Sequence, residues 1–189
     1  MRTAFKEWAT VVDALGHGEQ ILVLRKGGIA EGRDGFQIEH RRFFLFPTLF
    51  HQQRESVTEP AQRRFDQISH TFPGPDIARI EFLAEVAASR RLESLSETDS
   101  LHGQHIWRPE VISDRFDWGK EKNIFALAVR VYRLPLVIEL PMSPQYAGCK
   151  SWVELDKDIP TMGMSPVLDQ AAFDHKLQQF FSALNPAVP

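Results

Sequence analysis

An α+β domain, built on a mixed, mainly antiparallel sheet with helices packed on it, is the fold that three observations in this 189-residue sequence predict. Residues 123–132, NIFALAVRVY, alternate with period two and are apolar on both sides, as suits a strand in the middle of a sheet. Residues 77–89 also alternate. Residues 59–70 and 166–184 instead repeat their apolar positions at helical spacing. The predicted order is helix, strand, strand, helix, strand, helix, strand, edge strand, strand, helix. It lacks the strict alternation of a doubly wound parallel sheet, so the chain reads as a single α+β domain over 1–189.

Each element has its own warrant. Over residues 4–15, Ala4, Trp8, Val11 and Leu15 fall on one helical face, with Thr3 as N-cap and Gly16 as stop. Two buried strands joined by a Gly-rich loop follow. The first is Ile21-Leu22-Val23-Leu24, the turn runs from Glu31 to Gly35, and the second starts at Phe36 and stops at Pro47. Pro60 suits the first turn of a helix in which Ala61, Phe65 and Ile68 recur. Pro73-Gly74-Pro75-Asp76 is a loop. In the strand after it, Ile80, Phe82, Ala84, Val86 and Ala88 share one side. Residues 93–106 are polar and read as a loop or short helix, and Pro109 opens another short helix ending near Gly119. Pro135 interrupts the strand that begins at Asn123 and leaves Leu136 to Leu140 as an edge strand. The last part of Tyr146 to Leu155 can pair as a strand. Ser165 as N-cap and Pro166 at the first helical position open a C-terminal helix over about 166–184.

Composition narrows the function classes. A hydrophobic fraction of 43% and a charged fraction of 25% are those of an ordinary globular protein. One cysteine, Cys149, excludes an intramolecular disulfide and a Cys-based zinc site, and fits a reducing cytoplasmic setting. No apolar run is long enough to span a bilayer, and the N-terminus lacks an apolar leader core. A pI near 6.2 excludes a wholly basic nucleic-acid binder but leaves room for a local basic groove.

The charge is unevenly spread. From Leu22 to Arg54 six Lys or Arg face three Asp or Glu, while the whole chain carries −3. Arg25, Lys26, Arg41 and Arg42 therefore form a candidate anion-binding hairpin, although basic residues at strand ends also serve simply to keep a hairpin soluble. Trp107, Trp118, Tyr146 and Trp152, with those cations and Lys150, could supply an aromatic wall on which bases stack, if they are not core residues.

Other chemistries are less well served. Arg25-Lys26-Gly27-Gly28 has the glycines and charge of a phosphate loop but not the GxxxxGK[ST] pattern. His102 and His105 are spaced for one helical face, yet no metal motif surrounds them, and no metal or cofactor is expected. Asp76 with Glu81 and Glu85 resembles the acidic part of a metal-dependent nuclease centre, without a lysine two residues after either glutamate. Cys149 beside Lys150 could be an activated thiol, and His40 or His51 a base, but no pairing is assigned by the sequence.

The segments AFKEWATVVDAL, ILVLRKGGIAE, FFLFPTLFHQ and VYRLPLVIELPMSPQYAGCKSWVEL together resemble the bacterial domain of unknown function 1802 family, from about Ala4 to Leu155. The resemblance implies no established activity and transfers no catalytic residues. It does imply a DNA-related role, because some members lie fused to or beside a restriction-type endonuclease domain. The leading expectation is thus a nucleic-acid-associated recognition or accessory module linked to restriction-modification or defence. Arg25, Lys26, Arg41 and Arg42 would contact phosphates of DNA or RNA, and His51, Gln52, Tyr146, Lys150 and Trp152 would line the pocket. Any cutting would come from an endonuclease partner. The alternatives are a small hydrolase or nuclease-like enzyme using His40, His51 or Cys149, and a protein-interaction module without a ligand.

Overall fold

A computed structural model describes residues 1–26, 40–148 and 150–185, with the side chains of residues 51 and 52 left aside. Strands β1 (Thr3–Trp8), β2 (Leu22–Arg25), β3 (Arg42–Thr48), β4 (Ile77–Leu92), β5 (Ile124–Pro141), β6 (Trp152–Glu154) and β7 (Ser165–Pro166) join one sheet. The order is β2-β5-β4-β3-β1-β6, with β7 added to β5. Helices α1 (Ala9–Gly16), α2 (Glu59–Thr71), α3 (Leu95–Ser100), α4 (Pro109–Asp117) and α5 (Gln170–Leu184) accompany it. The pairing is antiparallel except between β1 and β3, so the sheet is mixed and the fold is α+β.

The structure revises the N-terminal helix. Residues 3–8 form a strand, and the helix begins only at Ala9. Thr3 opens β1 rather than capping a helix. β1 lies between β3 and β6, so its backbone groups pair on both sides. Trp8 has an extended ψ of 136°, and there the period changes from two to 3.6. Gly16 does end α1. It also lets the helix approach the sheet, because a Cβ there would meet the Phe82 ring at 2.2 Å.

The predicted hairpin does not form. β2 pairs with β5, while β3 pairs with β1 and β4, so the two strands are not neighbours. The turn assigned to Glu31–Gly35 and the start at Phe36 lie outside the described residues. Pro47 does not end its strand either: it pairs opposite Glu7, and β3 continues to Thr48. Along β3 the alternation is two-sided. Phe43 and Leu45 enter one buried cluster, while Phe44 and Phe46 enter another.

β4 and β5 form the long central ladder. β5 runs unbroken through Pro135, which corrects the separate edge strand. The register explains how. Ile80 pairs with Ile138, but Phe82 pairs with Arg133, so residues 134–137 fall opposite a shift in the ladder. A proline lacking an N–H is tolerated at such an irregularity. The shift also changes the faces of β4: Ile80 packs with Phe44 and Phe46, whereas Phe82 and Ala84 pack with Phe43 and Leu45.

α2 and α4 fall where periodicity and proline placement predict them, and α3 forms inside the polar stretch 93–106 that reads as a loop or short helix. α3 opens with a capping box between Ser94 and Glu97. The start of the last helix is revised. Ser165 and Pro166 pair with Arg133 and Tyr132 as β7, and α5 starts at Gln170 with Asp169 as N-cap, its Oδ1 accepting from Ala172 N at 2.8 Å. Phe173 and Phe180 anchor α5 in the larger core. Among the described residues no helix is long and apolar enough to cross a membrane.

Candidate functional site

The sheet curls enough to bring its two edges into contact. Arg25 ends β2 at one edge, and its Nη2 donates to Ser151 Oγ at 2.6 Å, just before β6 at the other. The guanidinium lies over the Phe5 ring, 4.9 Å from its centre, and Nη1 stands 3.9 Å from Glu7 Oε2. Beside this closure the ends of β1 and β3 border a groove of about 630 Å³.

The groove has two kinds of wall. Leu49, Phe50, Phe72, Ile77 and Met142 supply an apolar side, and Phe50 is 62% exposed. Among the described residues, Lys6, Arg25 and Lys150 supply cations, against the single carboxylate of Glu7. Lys6 Nζ donates to the carbonyls of Tyr146 and Gly148 at 2.8 and 2.7 Å, which fixes the segment that carries Lys150. Pairing across the strands sets the floor: Lys6 lies opposite Phe46, Glu7 opposite Pro47 and Trp8 opposite Thr48.

Behind the floor, the charge is buried. Glu7 is 1% exposed; its Oε1 accepts from Trp8 N at 2.8 Å, and its Oε2 has no hydrogen-bond partner among the described residues. Arg115 of α4 stacks on Trp8 and Trp107, with its guanidinium 4.6 and 5.4 Å from the two ring centres, and donates to Leu24 O at 3.2 Å. Burial lowers the Arg115 pKa to about 10, with Glu7 opposing the shift and Arg25 adding to it, so Arg115 stays charged at neutral pH. Nearby along the chain, burial pushes the His105 pKa down to about 4, and its Nδ1 has no hydrogen-bond partner among the described residues.

The residues expected to bind nucleic acid are only partly gathered. Arg25, Tyr146 and Lys150 border the same groove. Tyr146 does so as a core residue: it packs on Phe46 with ring centres 5.5 Å apart, and its hydroxyl donates to Asp156 Oδ2 and accepts from Asp156 N. Burial raises its pKa. Trp152 is packed between Phe5 and Phe43, at 4.8 and 5.0 Å, with the His40 ring edge-on at 5.3 Å. Lys26 turns away, donating to the carbonyls of Phe116, Glu121 and Asn123, and burial lowers its pKa. Arg41 and Arg42 sit at the far end of β3, roughly 20 Å of strand from Thr48. Both are exposed, and Arg42 Nε is 3.8 Å from Glu85 Oε2.

His51 and Gln52 open a 3₁₀ helix over His51–Ser56, directly after Phe50. A bidentate pair fixes that helix to α2, with Arg54 Nε and Nη2 on the two oxygens of Asp66 at 2.7 and 2.9 Å. Arg54 holds the Asp66 carboxyl below its usual range. Cys149 lies outside the described residues. Two of the three carboxylates considered for a nuclease centre take arginine neighbours: Glu81 has Arg133 and Glu85 has Arg42, each at 3.8 Å. Among the described residues no group of three His, Cys, Asp or Glu is placed to hold a metal ion.

Sequence reasoning missed Glu7, Phe50, Phe72 and Arg115. Only Glu7 left a usable trace: a period-two reading of Ala4 to Trp8 would have put it beside Phe5 on one face of a strand.

The chain matches the family described as Domain of unknown function (DUF1802) over residues 4–179. It belongs to this family. The match reaches beyond Leu155 and takes in β7 and most of α5, so the DUF1802 unit includes the C-terminal helix. No curated protein and no solved structure matches the chain.

Proposed function

We propose that the groove beside β1 and β3 holds single-stranded nucleic acid, making this protein a nucleic-acid-associated recognition or accessory module. The observation that supports this reading is the meeting, in one groove, of an exposed aromatic ring, Phe50, with Lys6, Arg25 and Lys150. Base stacking on an aromatic ring combined with cations along the backbone is how single strands are held without strict sequence preference. In this reading Phe50 and Phe72 take a base, and Lys150, the exposed cation, takes a phosphate. Arg41 and Arg42 provide a second phosphate contact for a strand running along the sheet. A role beside a restriction-type endonuclease partner is the biological setting that the family resemblance suggests.

The test is fluorescence anisotropy with labelled single-stranded DNA and RNA at two salt concentrations, using the wild type, Phe50→Ala and Lys150→Ala. Salt-sensitive binding weakened by both substitutions supports the reading. Absence of binding at low salt overturns it. Co-purification with a restriction-type endonuclease tests the partner separately.

A further inference from the structure

A second cavity, of about 260 Å³, opens between α1, α2 and the β4–β5 ladder. Pro47 and Phe72 line both this cavity and the groove. Leu45, Ile68 and Phe82 add apolar walls. Glu81 and Arg133 line it as well, with Oε2 3.8 Å from Nη1, too far for a direct hydrogen bond. Both are open to a ligand: the Glu81 side chain is 32% exposed and that of Arg133 46%. Among the described residues Glu81 accepts no hydrogen bond, so both its oxygens are available. Arg133 is held in place, because its Nη2 donates to Gly16 O at 3.1 Å and its guanidinium lies over the Phe82 ring, 4.6 Å from the centre. The carboxylate of Asp13 and the guanidinium of Arg79, also at this cavity, are already matched by Arg64 and Glu139. Glu81 is the β4 residue at the ladder shift between Ile80 and Phe82. Such irregularities re-aim side chains and are common beside active sites.

We infer that this cavity takes one guanine base turned out of the strand in the groove, with Glu81 accepting from its N1–H and 2-amino group and Arg133 donating to O6. The inference rests on the reading of the groove as a nucleic-acid site. The cavity is smaller than the roughly 300–1,000 Å³ of sites that enclose a drug-sized ligand, so it suits one ring system and not a whole nucleotide. Glu81 and Arg133 cancel in charge. A ligand with a net charge would be desolvated against apolar walls without a counter-charge, which favours a neutral one. That ligand has to offer donors to the carboxylate and, beside them, an acceptor to the guanidinium. Guanine carries all three on one edge, two adjacent N–H donors and a carbonyl. Adenine, cytosine and uracil each set a lone pair against one carboxylate oxygen. Stacking on Phe50 and Phe72 tolerates any base, so the cavity adds a preference at one position. Unstacking a base costs least in a strand that is already single.

The experiment compares labelled oligoadenylates of one length by anisotropy, as DNA and as RNA: all adenine, one central guanine, or one central hypoxanthine. Hypoxanthine keeps N1–H and O6 but lacks the 2-amino group. The expected result is about tenfold tighter binding with the guanine than with adenine alone, and an intermediate affinity with hypoxanthine. Glu81→Gln removes the guanine advantage, with circular dichroism to check its fold. Lys150→Ala weakens the strands with and without guanine by the same factor. Equal binding of those strands, or of guanine and hypoxanthine strands, overturns the guanine inference while the groove reading stands. Binding of no strand overturns both. The hypoxanthine arm needs no protein variant, so it decides the matter even if Glu81→Gln does not fold.

Discussion

Arg25 and Ser151, 126 positions apart in the chain, close the curled sheet through a 2.6 Å hydrogen bond from Nη2 to Oγ. That one contact joins the end of β2 to the entry of β6, the two outermost strands of the sheet order. It also holds the guanidinium next to a buried glutamate. Arg25 is therefore a closure residue as well as a groove residue.

Arg25→Ala is expected to destabilise the fold by about 3 kcal/mol, because it leaves the Glu7 carboxylate buried without its nearest cation. Ser151→Ala, which removes one hydrogen bond and keeps the charge, is expected to cost about 1 kcal/mol. Urea unfolding of the two single variants and the double variant measures the coupling. Additive losses would show that the contact does not hold the edges together.

Gly16→Ala is expected to destabilise by about 2 kcal/mol through overpacking. The added methyl would stand 2.2 Å from Phe82 Cζ, and the ring is buried in the core. Shortening the ring in Gly16→Ala/Phe82→Leu should recover part of the loss relative to the sum of the single changes. A thermal melt of Gly16→Ala that matches the wild type would contradict the close approach.

His105 links stability to pH. Burial lowers its folded pKa from 6.5 to about 4. Between these values the unfolded chain binds a proton that the folded chain does not, so stability rises with pH through this window and is lost as the pH falls from 6.5 toward 4. The full effect is at most about 3 kcal/mol. His105→Gln should flatten that part of the stability curve, as measured by denaturant midpoints at pH 7, 5.5 and 4.5. An unchanged curve would place the acid sensitivity elsewhere.

What the sequence disclosed, and what it hid, follows from how far each signal is local. The first part of β5 and α2 keep one period over many residues, so periodicity alone places them, whereas β4 reads as a strand but changes face at the shift between Ile80 and Phe82. β1 runs into α1 at Trp8 without a breaker, and a short strand joined to a helix mimics one helical stripe through Ala4, Trp8, Val11 and Leu15. Strand partners are not a local property either. Leu22 pairs with Ala128 rather than with a near neighbour, so the supposed hairpin could not be tested from sequence. The site suffered both losses. Arg25 and Lys150 were legible as cations, but Glu7 was hidden on a supposed helix. Tyr146 and Trp152 were legible as aromatics, but their burial depended on contacts with Phe46, Phe5 and Phe43.

The separation between groove and far-end cations gives the sharpest prediction for binding. Each phosphate neutralised by a protein cation on a single strand contributes about −0.7 to the slope of log affinity against log salt. Lys150 is exposed in the groove, whereas Arg41 and Arg42 stand at the opposite end of β3. Lys150→Ala should therefore lower the slope by about 0.7 for strands of any length that bind. Arg41→Ala/Arg42→Ala should leave a trinucleotide nearly unaffected. The same pair should lower the slope for a longer strand, because only that strand spans the roughly 20 Å of β3. Phe50→Ala, which removes a stacking surface without changing charge, should weaken binding by about 1–3 kcal/mol with no change of slope. If the arginine pair affects short and long strands equally, the groove is not where the strand lies.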